Sequence, residues 1–324
     1  MKCSGSSDQV LLCAFLHRVG GQCFVIQARQ HERTDFTPGM ACSILGCRLV
    51  SMKNWLAVAA LLPLALIPAL SQSNQTSRLK GTAHPNLNGL WQSLTEANWD
   101  IQAHAAQPGP PQFGALFAEP AGTGIVEGNE IPYQPWALAK KKDNYEKRFV
   151  RVNTDGVRLE PLDPEAKCYM PGTPRANYMP FPFQIIQGDK KIIIAYEFAS
   201  ASRVIQIEKP GLPPEDSYMG WSVGRWDGDT LVVDVTHFND KTWFDRAGNF
   251  HSDALHVVER YTPESANVLN YEATIEDPKV FTRPWKISFP LYRRLDKSVQ
   301  FLEFKCVPFS EELVYGHISK RTGK

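Results

Sequence analysis

The chain has 324 residues, with 35 Lys/Arg against 34 Asp/Glu, a formal net charge of +1 and 43% hydrophobic residues. A balance this close to neutral leaves no electrostatic footprint for nucleic acid or for an anionic membrane surface. The length is enough to bury a sizeable core, as one large β domain or two small ones.

From Met52 the chain reads MKNWLAVAALLPLALIPALSQS. Lys53 is a short positive start, Trp55 to Ile67 an apolar run, and Ala69-Leu70-Ser71 a small-x-small cleavage site. These are the three parts of a bacterial secretory signal peptide. The apolar run is too short and too proline-interrupted to suit a membrane span. The expectation is therefore that residues 1–51 are an over-extended start, 52–71 the signal peptide, 72–83 a flexible lead-in and 84–324 a single β domain. The alternative is a genuine extension that turns the apolar run into an internal anchor. On the first reading the protein is exported, periplasmic or extracellular, with no stable membrane span after cleavage. Without residues 1–71, 29 basic and 31 acidic residues remain, a formal net of −2.

Five of the seven cysteines lie before Met52, leaving Cys168 and Cys306. Two cysteines in an exported chain most simply form one disulfide. Two buried thiols, or one reactive one, are the alternatives. No CxxC and no Cys/His zinc spacing is present, and no metal or cofactor is expected.

In chain order, Pro85–Trp91 reads as a turn opening into a short strand. Residues 100–135, rich in Ala, Gly, Pro and Gln, form a long irregular loop. Trp136–Arg148 (WALAKKKDNYEKR) is the one credible helix after the apolar run, with Trp136, Ala139 and Tyr145 as an inward stripe. An acidic, proline-marked loop follows at Glu160–Glu165. Beyond Cys168 the pattern is almost wholly β. Gln184–Gln187 and Lys190–Tyr196 flank Gly188-Asp189 as a hairpin, with Ile192–Ile194 buried on both sides. Arg203–Glu208 alternates. Ala254–Thr262 with Val268–Glu276, then Trp285–Arg293 with Val299–Val307, close the series. About eight to ten antiparallel strands with no long repeat point to an all-β meander, a closed barrel or alternatively a sandwich, with one short helix.

The clearest hairpin is Gly220–Asp240, where β-formers flank Asp227-Gly228. Taking those two as the loop makes Trp226 face Asp229 and Arg225 face Thr230. One face carries Ser222, Gly224, Trp226, Leu231, Val233, Val235 and His237. The other carries Trp221, Val223, Arg225, Thr230, Val232, Asp234 and Phe238. If the second face looks into a barrel, Arg225 and Asp234 become a polar site beside the aromatic wall of Trp221. Otherwise they are a cross-strand ion pair that helps hold register.

The densest polar cluster is Asp245–Arg260. His251 and Asp253, two apart, share a face if the segment is a strand, and such a pair suits acid–base chemistry or a metal ion. The bland alternative is a loop-end cap and a partly exposed histidine. Arg175, Tyr178 and Glu197 flank strand ends near the same mouth. Arg283 next to Trp285 is a cation–π pair or a ligand contact. No GxSxG, P-loop, GxGxxG or HExxH motif is present. Ser252 between His251 and Asp253 cannot complete a triad, because adjacent strand positions point apart.

The segments CYMPGTPR (Cys168–Arg175), PFPFQIIQ (Pro180–Gln187), MGWSVGRWDGDTLVVDVTHFNDKTWFD (Met219–Asp245), HSDALHVVERY (His251–Tyr261), YEATIEDPKVFTRPW (Tyr271–Trp285) and EFKC (Glu303–Cys306) resemble a large family of exported bacterial proteins. That family is widespread in acidobacterial and proteobacterial genomes and has no assigned activity. The resemblance runs from about Asn86 to the C-terminus and implies export and a Cys168–Cys306 bridge. Separately, Gly89-Leu90-Trp91 is similar to the first strand of lipocalin-type barrels.

These readings lead to an exported binding protein with an aromatic-rich cavity for a small apolar or aromatic molecule. His251, Asp253, Asp234 and Arg225 are the candidate catalytic residues, and Trp221, Arg225, Arg175, Tyr178, Arg283 and Trp285 the candidate ligand contacts. The alternatives are an isomerase, lyase or hydrolase on the same scaffold, or a structural envelope protein.

Overall fold

A computed structural model describes residues 16–19, 22–25, 76–109, 118–149, 151–152, 158–159, 162–207, 211–213 and 215–308. Segment 52–71, expected to be a signal peptide, lies outside them. The chain divides into two units, Met1–Pro68 and Ala69–Lys324. In the first, β1 (Leu16–Val19) and β2 (Gln22–Val25) form a two-stranded antiparallel sheet.

The second unit is a closed barrel of nine strands: β3 (Gly89–Ser93), β6 (Phe183–Gln187), β7 (Lys191–Tyr196), β8 (Ser202–Gln206), β9 (Trp221–Asp227), β10 (Thr230–Thr236), β11 (His256–Ser265), β12 (Val268–Glu276) and β13 (Trp285–Arg293). Two short strands, β4 (Arg151–Val152) and β5 (Arg158–Leu159), pair outside it. Around the barrel the order is β10-β11-β12-β13-β3-β6-β7-β8-β9. Every neighbouring pair is antiparallel except β8 and β9, a parallel seam held by Ile205 opposite Ser222 and Gln206 opposite Val223. Closure leaves no free sheet edge.

Alternation of side chains builds the core. On β12, Leu269, Tyr271, Ala273 and Ile275 are buried while their neighbours are half-exposed; on β13, Trp285, Ile287, Phe289 and Leu291 are buried. Each such large apolar side chain contributes on the order of 1.5–3 kcal/mol by leaving water. The opening strand buries Trp91 completely, with the Arg293 guanidinium 4.2 Å above its ring. The segment 171–179 is also buried, and its Asn177 side chain bonds Glu259, Tyr261 and Tyr196 of the barrel strands.

The hairpin loop is one residue later than the Asp-Gly rule placed it. Asp227 pairs with Thr230, so Gly228 and Asp229 form the turn. Gly228 alone has a positive φ (59°), as a turn with glycine in its first position requires. The shift moves each facing pair by two residues, so the two faces survive. Ser222, Gly224, Leu231, Val233 and Val235 are buried toward the core, whereas Arg225 is exposed and Trp221 and Asp234 half-exposed. The Trp221/Arg225/Asp234 face therefore looks outward.

Other expectations need correction. Ile193 is 40% exposed between buried Ile192 and Ile194, so β7 is buried on one side only. Residues 301–307 form no strand; they are an irregular segment carrying Cys306, whose disulfide to Cys168 is present with Cα atoms 5.6 Å apart. It closes a loop with a sequence separation of 138, for which chain-entropy arguments give about 4–5 kcal/mol. Residues 76–83 are a turn laid on the barrel, with Arg78 paired to Asp229 and the Thr76 hydroxyl bonded to the Ser265 carbonyl. The helix α1 spans Pro135–Glu146, and it buries Ala137 and Asn144 rather than Trp136 and Ala139. Among the described residues no helix is long and apolar enough to cross a membrane.

Candidate functional site

The loop between β10 and β11 is built around one buried carboxylate. Asp245 accepts bonds from the Ile101 amide (2.9 Å), the Asn249 amide (3.1 Å) and the Asn249 side chain (2.5 Å). Its burial, with Asp100 nearby, pushes its pKa up to about 7. The Phe244 amide donates to the Asn249 carbonyl, and Trp243 pairs with Phe250 as an isolated bridge. The loop thus presents Trp243 and Phe250 side by side. Tyr133 and Tyr178 brace it through hydroxyl bonds to the Asn249 side chain and the Phe244 carbonyl.

Gly248 is where α1 meets this loop. A Cβ there would lie 2.8 Å from the Lys141 carbonyl oxygen and 2.8 Å from the Tyr145 amide, and φ is +83°. Only glycine permits both the close approach and that backbone conformation. The Asn144 side chain completes the contact by donating to the Gly248 carbonyl.

Between α1, the 162–169 loop and the 240–252 loop lies a cleft of about 550 Å³. Trp136, Tyr169, Trp243 and Phe250 supply its aromatic surface, and Lys140, Lys167, Lys241 and Asp240 its charges. Trp136 is 55% exposed, whereas Trp243 and Phe250 are each 9% exposed. The volume lies in the range of ordinary small-molecule sites.

His251 forms part of the cleft wall but is only 4% exposed. Its Nδ1 is 2.8 Å from the Ser252 carbonyl, which can only accept, so Nδ1 carries the proton. Nε2 then accepts from the Thr242 hydroxyl at 2.6 Å. Burial lowers the ring's pKa, and the imidazole is neutral. Both nitrogens are occupied by the protein's own groups.

The His251–Asp253 pair expected from strand spacing is not formed. Residues 251–255 are a turn, in which the Ser252 hydroxyl accepts from the Ala254 amide, and β11 begins only at His256. Asp253 pairs at the surface with Lys279 (2.6 Å), and Asp277 holds Ser252 through its amide and hydroxyl. Asp234 sits on the outer face with His256 at 3.2 Å. The four candidate catalytic residues thus have separate surroundings.

The candidate ligand contacts are likewise dispersed. Arg175, 2% exposed, bonds Asn98 (2.9 Å) and Glu165 (2.7 Å) inside an ion network that Arg246 completes. The facing Arg246 and Arg175 guanidiniums outweigh burial and hold the Glu165 carboxyl down at about 2. Tyr178 is buried against the loop, and Trp285 packs edge-on to Phe244 (5.5 Å) and Phe281 (5.3 Å). Arg283 is a surface residue paired with Glu130, not stacked on Trp285. Glu197 accepts from the Leu302 amide.

Sequence reasoning missed two groups. One is the buried pair inside the barrel, where Arg203 grips Glu259 at 2.6 and 2.9 Å. Tyr261, Tyr271, Tyr196 and Asn177 supply further bonds within that cluster. Alternation was a usable signal, since Arg203 shares a face with Ile205, and Glu259 with Val257 and Tyr261. The other is the cleft lining, Lys140, Lys167, Lys241, Tyr169, Trp243 and Phe250, which no local pattern marks. No family model matches the chain, and no match to it is found among curated proteins or solved structures.

Proposed function

We propose that this is an exported binding protein that takes up a small, largely aromatic molecule in the cleft beside α1. The observation that carries the reading is the cleft itself: about 550 Å³ with four aromatic side chains converging from three separate segments. Trp136, and to a lesser extent Tyr169, leave aromatic surface open to solvent, a standing gain for any flat apolar body that covers it. Within the barrel, Trp91, Phe183, Tyr261, Tyr271 and Phe289 are all buried, and they support the rigid frame on which the cleft is built. Export rests on the signal-like segment at 52–71 and the Cys168–Cys306 bridge, and the resemblance to exported bacterial proteins supports the same placement. The acid–base enzyme reading loses its support, because His251 and Asp253 are separately engaged.

Titration of the purified protein with small aromatic compounds, followed by tryptophan fluorescence, tests this. Saturable quenching that Trp243→Ala abolishes is the expected outcome. Unsaturable quenching, or the same curve in Trp243→Ala, overturns it.

A further inference from the structure

The cleft has an imbalance of charge. Lys140, Lys167 and Lys241 line it, against Asp240 as the one carboxylate among its lining residues. His251 adds no charge, since burial keeps it neutral. The local balance is thus two positive charges in a chain whose overall sum is +1. Lys140 reaches Asp143 only at 3.8 Å, and Lys147 holds the same carboxylate more closely. Lys167 and Lys241 form no ion pair among the described residues. Three other polar groups of the wall are already engaged: Asn144 with the Gly248 carbonyl, Ser252 with Asp277, His251 with Thr242 and the Ser252 carbonyl.

We propose that the molecule bound here is an aromatic or conjugated anion, its flat body against Trp136, Trp243, Phe250 and Tyr169 and its anionic group among Lys140, Lys167 and Lys241. The proposal rests on the cleft being the binding site and adds the charge of the ligand. Like charges around a low-dielectric wall repel one another until an anion arrives, so binding relieves a repulsion as well as forming a contact. Ammonium groups act as flexible point charges without the planar fork of arginine. They therefore accept a carboxylate, a sulfonate or a phosphate, and the shared feature is the anion on an aromatic frame.

Calorimetric titration of the full chain with 2-naphthoate and with its neutral isostere 2-naphthamide tests this. Naphthoate is expected to bind at least tenfold more tightly at low salt. The gap should close as salt rises from about 0.01 M to about 1 M, where the Debye length falls from about 30 to about 3 Å. The double variant Lys167→Gln/Lys241→Gln should lose the preference for the acid. Arg225→Ala, on the outer face, should keep it. A thermal melt of each variant shows that it is folded. Equal affinity for acid and amide, without salt dependence, overturns the anionic ligand while leaving the cleft as the binding site. A preference that survives in the double variant also overturns it. If neither compound binds saturably, the cleft reading itself falls.

Discussion

Two regions of this molecule concentrate charged and aromatic side chains, and they use them in opposite ways. Inside the barrel, Arg203 and Glu259 are 4% and 0% exposed and matched one to one, and the Tyr261 and Tyr271 hydroxyls also donate to the carboxylate. Beside α1, three lysines face one aspartate around a cleft whose aromatic wall is exposed at Trp136 and half-exposed at Tyr169. A buried charge must be compensated by the protein itself, because removal from water is worth several kcal/mol per ion. A charge at a cleft stays hydrated and can remain uncompensated. Matched charges thus hold structure together, and unmatched ones are available to a ligand.

The sharpest way to break this contrast is to unbalance the interior. Arg203→Met strands Glu259 in the core and should lower unfolding free energy by about 3–5 kcal/mol, read by chemical denaturation. Adding Glu259→Leu should recover most of that loss, since a packed apolar pair is often neutral by comparison. A single variant as stable as the parent would show that the pair compensates nothing.

Next in size is Gly248→Ala. Its Cβ would press on the Lys141 carbonyl and the Tyr145 amide at a positive φ, which should destabilise by about 1–3 kcal/mol. Because the same contact seats α1, aromatic-ligand affinity should fall with it. Unchanged affinity in this variant would separate the helix from the site.

A third test distinguishes two carboxylates by pH. Asp245 ionises near 3.8 when unfolded and about 7 when folded, so between those values the folded state binds more protons. Its contribution to stability falls as pH rises through that window, and Asp245→Asn should flatten the slope there. Glu165 runs the other way. Its folded value of about 2 lies below its ordinary 4.5, so its contribution is present above 4.5 and lost as pH falls toward 2. Glu165→Gln should remove that acid loss, and denaturation midpoints across pH 2–8 would read both slopes. The smallest expected effect is that of Asp253→Ala, within about 0.5 kcal/mol of the parent and without change in ligand binding. A loss of binding there would return His251 and Asp253 to the site.

Much of the barrel was legible in the chain. The strands at 184–187, 190–196, 268–276 and 285–293 follow from alternation and turn residues, and the Gly220–Asp240 hairpin from its glycine-bearing turn. Legibility failed where two faces look alike. Trp221, Val223 and Val232 put apolar side chains on the outer face of the hairpin beside Arg225 and Asp234, and Val232 is buried although it lies on that face. Alternation tells which residues share a face but not which way that face points. It failed again at Val299–Val307, where a β-like composition meets no open strand to pair with in a barrel already closed by β3 and β13. The inward stripe of α1 was misplaced because the helix docks through its backbone at Gly248, a contact that leaves no hydrophobic period.

Period, turn chemistry and cysteine positions, all local or countable properties, pointed from the sequence to an all-β chain with one helix and to a Cys168–Cys306 bridge as the simplest pairing. Only the tertiary structure decided which face of each strand is inside, that Arg203 and Glu259 meet there, and that Trp136, Tyr169 and Trp243 line one cleft. The three cleft residues come from segments tens of residues apart, brought together by barrel closure, the disulfide-tied 162–169 loop and the seat of α1 on Gly248. Convergence of that kind depends on packing between distant parts of the chain, which no window of the sequence contains.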